Sequence, residues 1–281
     1  MDSPDKISVI TPRKSLFDLK LDEIWHYRDL FVLLIKRDIT VSYKQTVLGP
    51  LWFLIQPLLT TLMFLIIFGR VAGISTGGVP PILFYLGGIT VWNYFSECLR
   101  LTSDTFVKNA GLFGKVYFPR IITPLSIVSS NLVKFCIQFV LFLSVFFYYY
   151  LTNATIKPDI TLVLLPVYVI ILALLALGFG LIISAMTTKY RDLTFLIQFG
   201  IQLWMYATPV IYPLSKIPEK YRLLIIANPV SSIVEAFKYG FTGSGSFSAG
   251  GIIYSGIFAI IFFFAGIAIF NRTEKTFMDT V

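Results

Sequence analysis

The stretch LGPLWFLIQPLLTTLMFLIIF (48–68) runs for 21 residues without a charged side chain. A helix needs about 20 apolar residues to cross the hydrocarbon core of a bilayer, so this stretch is long enough to span a membrane. The whole chain shares its character, since 56% of the 281 residues are hydrophobic, 14% are charged, and the mean hydropathy is +0.79. A soluble core of this size could not bury so much apolar surface. The sequence therefore predicts an all-α integral membrane protein.

Five more apolar segments follow the first, and together they predict six transmembrane helices. The predicted spans are 48–68, 81–101, 121–151, 162–186, 194–212 and 250–270. Residues 213–249 are also partly apolar, but Pro229, Glu235 and Lys238 make them too polar and too broken for an ordinary span. Irregular backbone at membrane depth must be shielded by protein. We therefore expect two short re-entrant helices there, before the last span.

The residues before the first span predict an amphipathic helix over 21–45, after a polar lead at 1–20. Its polar face comprises His26, Asp29, Lys36, Arg37, Thr40 and Lys44. Its apolar face comprises Ile24, Tyr27, Phe31, Leu34 and Ile35. A basic polar face next to Trp and Phe side chains is typical of a helix that lies among lipid headgroups. A helix packed on a soluble partner is the alternative. The chain thus divides into an N-terminal segment, 1–47, and a six-span transmembrane domain, 48–281.

Lysine and arginine predict the orientation. With six spans, 16 of them fall on the side that holds both termini, six fall on the other side, and Lys134 lies inside a span. Cytoplasmic loops carry the excess of Lys and Arg, so both termini are expected in the cytoplasm. The same rule accounts for the formal net charge of +8 without a nucleic-acid partner.

Several kinds of chemistry are disfavoured by what the sequence contains. Gly114-Lys115 lacks the upstream glycine and the following hydroxyl of a phosphate-binding loop, so energy from ATP would have to come from another subunit. One histidine, His26, and two distant cysteines give no metal site. Within the spans, Glu97 lies three residues from Arg100, a spacing typical of a salt bridge rather than a proton relay. Lys134 is expected to snorkel or contact a polar partner, with a substrate role as the alternative.

Aromatic side chains crowd the first two predicted spans. Trp and Tyr at membrane interfaces explain most such clusters, but aromatic rings also suit weak stacking with sugars, and both interpretations stay open. The amphipathic loop 102–120 is likewise either a contact for a soluble partner or a simple connector.

Eight short motifs then suggest a family. In order they are Tyr43, LGPLW (48–52), QP (56–57), NAGL (109–112), KVYFPR (115–120), YRDL (190–193), TPVIYP (208–213) with IP (217–218), and NP (228–229). In this order and spacing they resemble the permease subunits of polysaccharide ABC exporters, a group of type-2 ABC permeases. The O-antigen exporter permeases look most similar, and capsule and teichoic-acid permeases are near relatives.

The resemblance implies a half-transporter in a bacterial inner membrane. Such a permease pairs with a second copy of itself and with two copies of a separate subunit that binds ATP and Mg, so this chain needs no cofactor of its own. Its cargo would be a polysaccharide linked to undecaprenyl diphosphate, taken up at the cytoplasmic interface.

The resemblance also implies three groups of functional residues. A gate segment for the lipid-linked substrate comprises Arg37, Tyr43, Lys44, Leu48 and Gly49. The channel aromatics comprise Trp52, Phe53, Tyr85, Trp92, Tyr94 and Phe95. A coupling segment, residues 109–120, docks the ATPase through Phe113, Lys115, Tyr117, Phe118, Pro119 and Arg120.

Two other functions compete with export of a glycan. A drug or lipid exporter permease would share the architecture but gives no reason for the KVYFPR and NP motifs. A membrane glycosyltransferase or polymerase would need a pair of catalytic carboxylates in a loop, whereas Asp159 and Glu219 are isolated in the sequence.

Overall fold

The computed structural model describes residues 21–152, 156–190 and 192–277, and within these ranges the chain is helical without a strand. The helices are α1 (Leu21–His26), α2 (Arg28–Tyr43), α3 (Trp52–Phe64), α4 (Pro81–Ser103), α5 (Thr105–Phe113), α6 (Ile122–Thr152), α7 (Leu165–Lys189), α8 (Leu193–Tyr206), α9 (Glu219–Ala227), α10 (Pro229–Thr242) and α11 (Ala249–Phe277). The polar lead at 1–20, Arg191 and the chain end at 278–281 lie outside the described residues.

Four helical segments are long and apolar enough to cross a membrane, within the described ranges: Gly49–Val71, Ile122–Thr152, Ile160–Lys189 and Ala249–Glu274. They correspond to the first, third, fourth and sixth predicted spans. The first combines a 3-10 turn, α3 and a π-helical end at Leu65–Val71.

The other two predicted spans are helices that differ from an ordinary span. Helix α4 has 23 residues, which gives about 34 Å of length, but it carries Asn93, Glu97 and Arg100. Helix α8 is apolar but has only 14 residues. It ends at Tyr206, before the predicted limit at 212, because the chain turns at Thr208-Pro209 and the Ala207 carbonyl accepts a hydrogen bond from Asn228 Nδ2 (3.2 Å). The count of six membrane crossings stays a prediction.

Helix α4 is the central helix of the fold. It packs against α3, α6, α7, α8 and α10, and most of its side chains are buried. Neighbouring helices therefore cover it, and polar side chains on a covered helix need not face lipid. This explains how a helix of moderate hydropathy occupies the middle of an apolar bundle.

Glycines bring α7 and α11 into direct backbone contact. A Cβ added at Gly178 would lie 2.6 Å from the carbonyl carbon of Phe262, and one added at Gly266 would lie 2.6 Å from the Gly178 carbonyl oxygen. Small residues at such positions allow the close packing on which helix association in membranes depends. Helices α7 and α11 are thereby fixed to each other.

The N-terminal helix predicted over 21–45 is present as α1 and α2, which are interrupted at Tyr27. Its apolar face packs on the rest of the chain. Leu34 is buried in a second hydrophobic cluster with Phe106, Phe113 and Phe270, and α2 lies along α6. On its other side Trp25 and Leu33 are exposed. The helix is therefore held by the transmembrane helices themselves, while its position in the headgroup plane stays a prediction.

Two short helices occupy the region where the sequence is broken by Pro229. Asn228 joins them, and its side chain links this junction to the end of α8: Oδ1 accepts from Trp204 Nε1 (3.0 Å) and from the Val230 amide (3.1 Å), and Nδ2 donates to Thr208 Oγ1 (2.9 Å). Helices α9 and α10 thus form one unit with the TPVIYP turn.

Candidate functional site

The gate segment forms a tight turn between α2 and the first long helix. Gln45 and Gly49 both have positive φ angles, 65° and 54°, and Thr46 Oγ1 donates to the Tyr43 carbonyl (2.7 Å). An L side chain is strained at such angles, which explains the glycine at 49. Lys44 and Leu48 are exposed on this turn.

The two cations of the gate segment differ in how they are paired. The Arg37 guanidinium donates to Asp38 Oδ1 from Nη2 (2.7 Å) and from Nε (2.9 Å). Lys44 is exposed and has no ion-pair partner within the part of the chain that the structure describes. Of the two, Lys44 is therefore the cation that is free to bind an incoming anion.

Helices α4 and α6 carry charged side chains within their apolar sequences. Glu97 and Arg100 form the salt bridge that their spacing predicts, with Arg100 Nη2 2.6 Å from Glu97 Oε2. The Lys134 ammonium lies 5.8 Å from the ring centre of Phe53, in a cation–π arrangement. No pattern in the sequence predicts the contact between Lys134 and Phe53, because it joins two helices far apart in the chain.

The channel aromatics divide into two groups. Trp52 is 43% exposed, and Phe53 is half-buried. The four on α4 are at most 4% exposed, and they are Tyr85, Trp92, Tyr94 and Phe95.

These four side chains pack against other helices of the same chain. Phe95 lies edge-on to Trp204 at 5.1 Å between ring centres, and Tyr94 lies 5.3 Å from Phe135. Burial within this chain favours a packing role for these four side chains, and their assignment to a channel wall stays a prediction. They are buried because α4 is the covered, central helix, which its aromatic content alone does not reveal.

The coupling segment is part buried anchor and part exposed tip. Phe113, Phe118, Pro119 and Arg120 are buried, and the first two belong to the second hydrophobic cluster. Lys115 and Tyr117 are exposed, Tyr117 by 71%.

Two contacts tie the coupling segment to distant parts of the chain. Arg120 Nη1 donates to the Glu274 carbonyl near the end of α11 (3.1 Å), and the guanidinium also lies 5.4 Å from the Phe113 ring centre. The Tyr27 hydroxyl lies 3.5 Å from the carbonyl oxygen of Tyr117. The start of α2 therefore lies beside the end of the coupling segment. A force on the tip would therefore reach both the N-terminal helix and the last helix.

The two predicted groups of partner contacts share one end of the molecule. The gate segment, the coupling segment and the C-terminal half of α4 lie at this end, and α9 and α10 pack near the N-terminal half of α4 at the other. In the described ranges no group of three His, Cys, Asp or Glu side chains could hold a metal ion.

Comparison with known proteins finds similar proteins that are named for polysaccharide export or transport. The chain is 28% identical to the O-antigen export system permease protein RfbA of Klebsiella pneumoniae over 253 residues, which is 89% of this chain and 94% of that protein. It is 28% identical to RfbA of Myxococcus xanthus over 261 residues, 92% of this chain and 98% of that protein. It is 22% identical to the polysialic acid transport protein KpsM of Escherichia coli over 249 residues, 87% and 93% of the two chains.

A family model described as "ABC-2 type transporter" matches residues 29–242, a range that runs from the N-terminal helix to the end of α10. The match therefore covers the gate segment, the coupling segment and the paired short helices. The chain belongs to the ABC-2 type transporter family.

Proposed function

We propose that this chain is the permease subunit of an ATP-driven exporter that moves undecaprenyl-diphosphate-linked polysaccharide of the O-antigen type across a bacterial inner membrane. The observation that carries the proposal is the nearly full-length match to permeases named for O-antigen export.

The topology that fits this function has six crossings and both termini in the cytoplasm. Helix α4 supplies the second crossing inside a shell of other helices, and α8 with the turn after it supplies the fifth. Helices α9 and α10 would then re-enter the membrane from the far side. Support comes from the Asn228 side chain, which fixes them to the end of α8.

The substrate would be taken up at the gate segment. A diphosphate carries several negative charges, and an exposed ammonium near the lipid surface attracts it. Lys44 is placed for this, on a turn whose glycine at 49 and left-handed residue at 45 hold it in one shape. Arg37 is already bound to Asp38 and would serve mainly to fix α2.

The ATP-binding subunit would dock on the exposed tip of the coupling segment. Lys115 and Tyr117 offer a cation and an aromatic ring, and the anchor formed by Phe113 and Arg120 makes the segment stiff enough to act as a lever. Closure of two such subunits would then move α11 through Glu274 and the N-terminal helix through Tyr27.

The polymer would pass between this chain and a second copy. Helix α3 supports this arrangement, because Leu59, Leu62, Met63 and the nearby Trp52 are exposed along it and are available to a partner permease. Weak stacking of sugar rings on Trp52 and Phe53 would hold a sliding polymer without fixing it. ATP and Mg would be bound by the partner ATPase alone.

A capsule exporter is the second candidate, and the match to KpsM favours it. The identity to KpsM is lower, 22% against 28%, and this supports proposing the O-antigen type first. Permeases for teichoic acid and for drugs or lipids share the architecture, but no further observation favours either of them.

The experiment is a clean deletion of the gene, followed by localisation of the lipid-linked polysaccharide on either side of the inner membrane. We expect polymer to accumulate on the cytoplasmic face and to disappear from the cell surface, with recovery on complementation. Sugar analysis of the retained polymer separates O-antigen from capsule. Unchanged surface glycans would contradict the proposal, and absence of any polymer would favour a biosynthetic enzyme instead.

A further inference from the structure

A polar cavity of about 160 Å³ lies between the start of α4, the TPVIYP turn and α10. Its deepest wall is made by Phe84, Glu235 and Lys238, which are all buried, and its rim includes the exposed Ser215 and Ser246. By liquid volume the space equals about five water molecules, the scale of a single sugar ring. It lies about 20 Å along α4 from the Glu97–Arg100 pair and is therefore separate from the gate and coupling segments.

Glu235 presents an unsatisfied acceptor to this cavity. The residue is only 4% exposed, and its Oε1 atom makes no hydrogen bond. The other oxygen, Oε2, accepts a long hydrogen bond from Ser246 Oγ (3.4 Å), and the backbone amides of Leu214 and Ser246 also lie close to the carboxylate. A buried carboxylate oxygen without a close partner costs free energy, so Oε1 can still accept a hydrogen bond from a bound group.

Lys238 does not donate to Oε1, because it is engaged elsewhere. Its ammonium donates to the carbonyls of Pro209 (2.6 Å) and Val210 (3.0 Å) and lies 3.5 Å from the ring centre of Phe84. These contacts hold the TPVIYP turn against α10 and keep a positive charge one turn from Glu235. The cavity is therefore rigidly built, with a charge-compensated carboxylate in its wall.

We propose that this cavity binds one neutral, hydroxyl-rich sugar unit, with Glu235 Oε1 accepting a hydrogen bond from a sugar hydroxyl. The hydroxyls of Thr76, Ser215 and Ser246 and the rings of Phe84 and Pro213 complete a lining of the kind that small polar ligands use. A neutral donor satisfies the carboxylate without adding charge to a compensated pair.

Charged ligands fit this cavity less well. A metal ion needs several oxygen ligands of high negative charge, whereas Glu235 is the only carboxylate among the described residues that line the cavity, and Lys238 and Arg222 would repel a cation. An anion would meet the Glu235 oxygen directly. Hydroxyl groups, which donate without carrying charge, are the chemistry that remains.

The inference rests on the proposed function for its role. If this protein exports a polysaccharide, the polymer emerges at this end of α4. A shallow site for one sugar unit would then hold the polymer between cycles of ATP hydrolysis. Binding itself is measured without transport, so failure of the two proposals can be told apart.

The test is saturation-transfer NMR on the permease purified with its ATPase in nanodiscs, using millimolar methyl glycosides of glucose, galactose, mannose, rhamnose and N-acetylglucosamine. Two variants address the site. Ser215→Trp fills the mouth from an exposed position, and Glu235→Gln removes the carboxylate. Leu223→Trp adds the same bulk to the exposed face of α9, away from the lining, and Glu219→Gln removes an exposed carboxylate from the same helix.

We expect at least one glycoside to receive saturation in the wild type. Binding should weaken by about tenfold or more in Glu235→Gln, which loses a charge-assisted hydrogen bond, and at least as much in Ser215→Trp, whose indole blocks the mouth. The two control variants should bind as the wild type does. Size-exclusion profiles and melting temperatures establish that each variant is folded. No transfer to any glycoside in the wild type, or equal transfer in all five proteins, would overturn the proposal while leaving export untouched.

Discussion

Arg120 Nη1 donates a hydrogen bond of 3.1 Å to the backbone carbonyl of Glu274, which joins the coupling segment to the last turns of α11. The carbonyl end of a helix carries partial negative charge, so a guanidinium there is favourable. The same guanidinium also lies over the Phe113 ring, so the Arg120 side chain connects Phe113 to the end of α11. The coupling segment is therefore a built part of the bundle, with only its tip free for a partner.

This division predicts different effects for two substitutions in one segment. Arg120→Ala should destabilise the permease by about 2 kcal/mol, because it removes a charge-assisted hydrogen bond and a cation–π contact. Tyr117→Ala should leave the melting temperature unchanged and reduce copurification of the ATPase, since its ring is exposed. Thermal melting and pull-down in the same detergent measure both. If the Tyr117→Ala permease still copurified as much ATPase as the wild type, the exposed tip would not be part of the docking surface.

The two groups of aromatics predict a second contrast. Trp92→Ala should destabilise the fold by about 3–5 kcal/mol, as expected for a large buried side chain. Trp52→Ala should leave folding intact but slow export, because its ring is exposed on the first long helix. Surface polymer and melting temperature are the readouts. If the Trp92→Ala protein were fully stable but exported polymer slowly, Trp92 would belong to the channel wall and not to the packed core.

The pairing of Arg37 predicts that Lys44 carries the attraction for a diphosphate. Lys44→Gln should raise the lipid-linked substrate concentration that half-maximally stimulates ATP hydrolysis, by about fivefold for the loss of one cation near the lipid surface. The double variant Arg37→Gln/Asp38→Asn keeps the local net charge and serves as the control. Equal shifts in both variants would mean that the ion pair takes part in uptake.

Close packing at Gly178 predicts a steric effect that is independent of function. Gly178→Ala should destabilise the bundle by about 1–3 kcal/mol, since its Cβ would meet the Phe262 backbone at 2.6 Å. Gly200→Ala is the matched control, because no atom lies within 4 Å of its added Cβ and alanine favours a helix. Equal melting temperatures for the two variants would show that α7 and α11 can move apart at no cost.

The sequence was sufficient to predict where the helices lie, but not which of their side chains are buried. Long apolar runs and the break at Pro229 predict where the long helices and the two short ones lie, because hydropathy and proline act locally. The burial of Tyr85 and Trp92 depends on which helix lies in the middle of the bundle, and tertiary packing decides this rather than a pattern within α4.

The candidate site shows the same limit at the level of single residues. The Glu97–Arg100 pair follows from a helical spacing, so it could be predicted and is confirmed. The contacts of Arg120 with Glu274 and of Lys238 with Pro209 bridge 154 and 29 residues, and no local pattern encodes them. The burial of Glu235 beside a cavity is a property of this tertiary packing alone.

The most direct test of the central claim is ATP-dependent translocation in inverted inner-membrane vesicles that contain the permease, its ATPase and lipid-linked polymer. The cytoplasmic face is outward in such vesicles, so exported polymer becomes protected from an added glycosidase. The account predicts protection that requires both ATP and this chain, and that is lost when the ATPase cannot hydrolyse ATP. Polymer that stays accessible with the complete system, or becomes protected in vesicles without this chain, would contradict it.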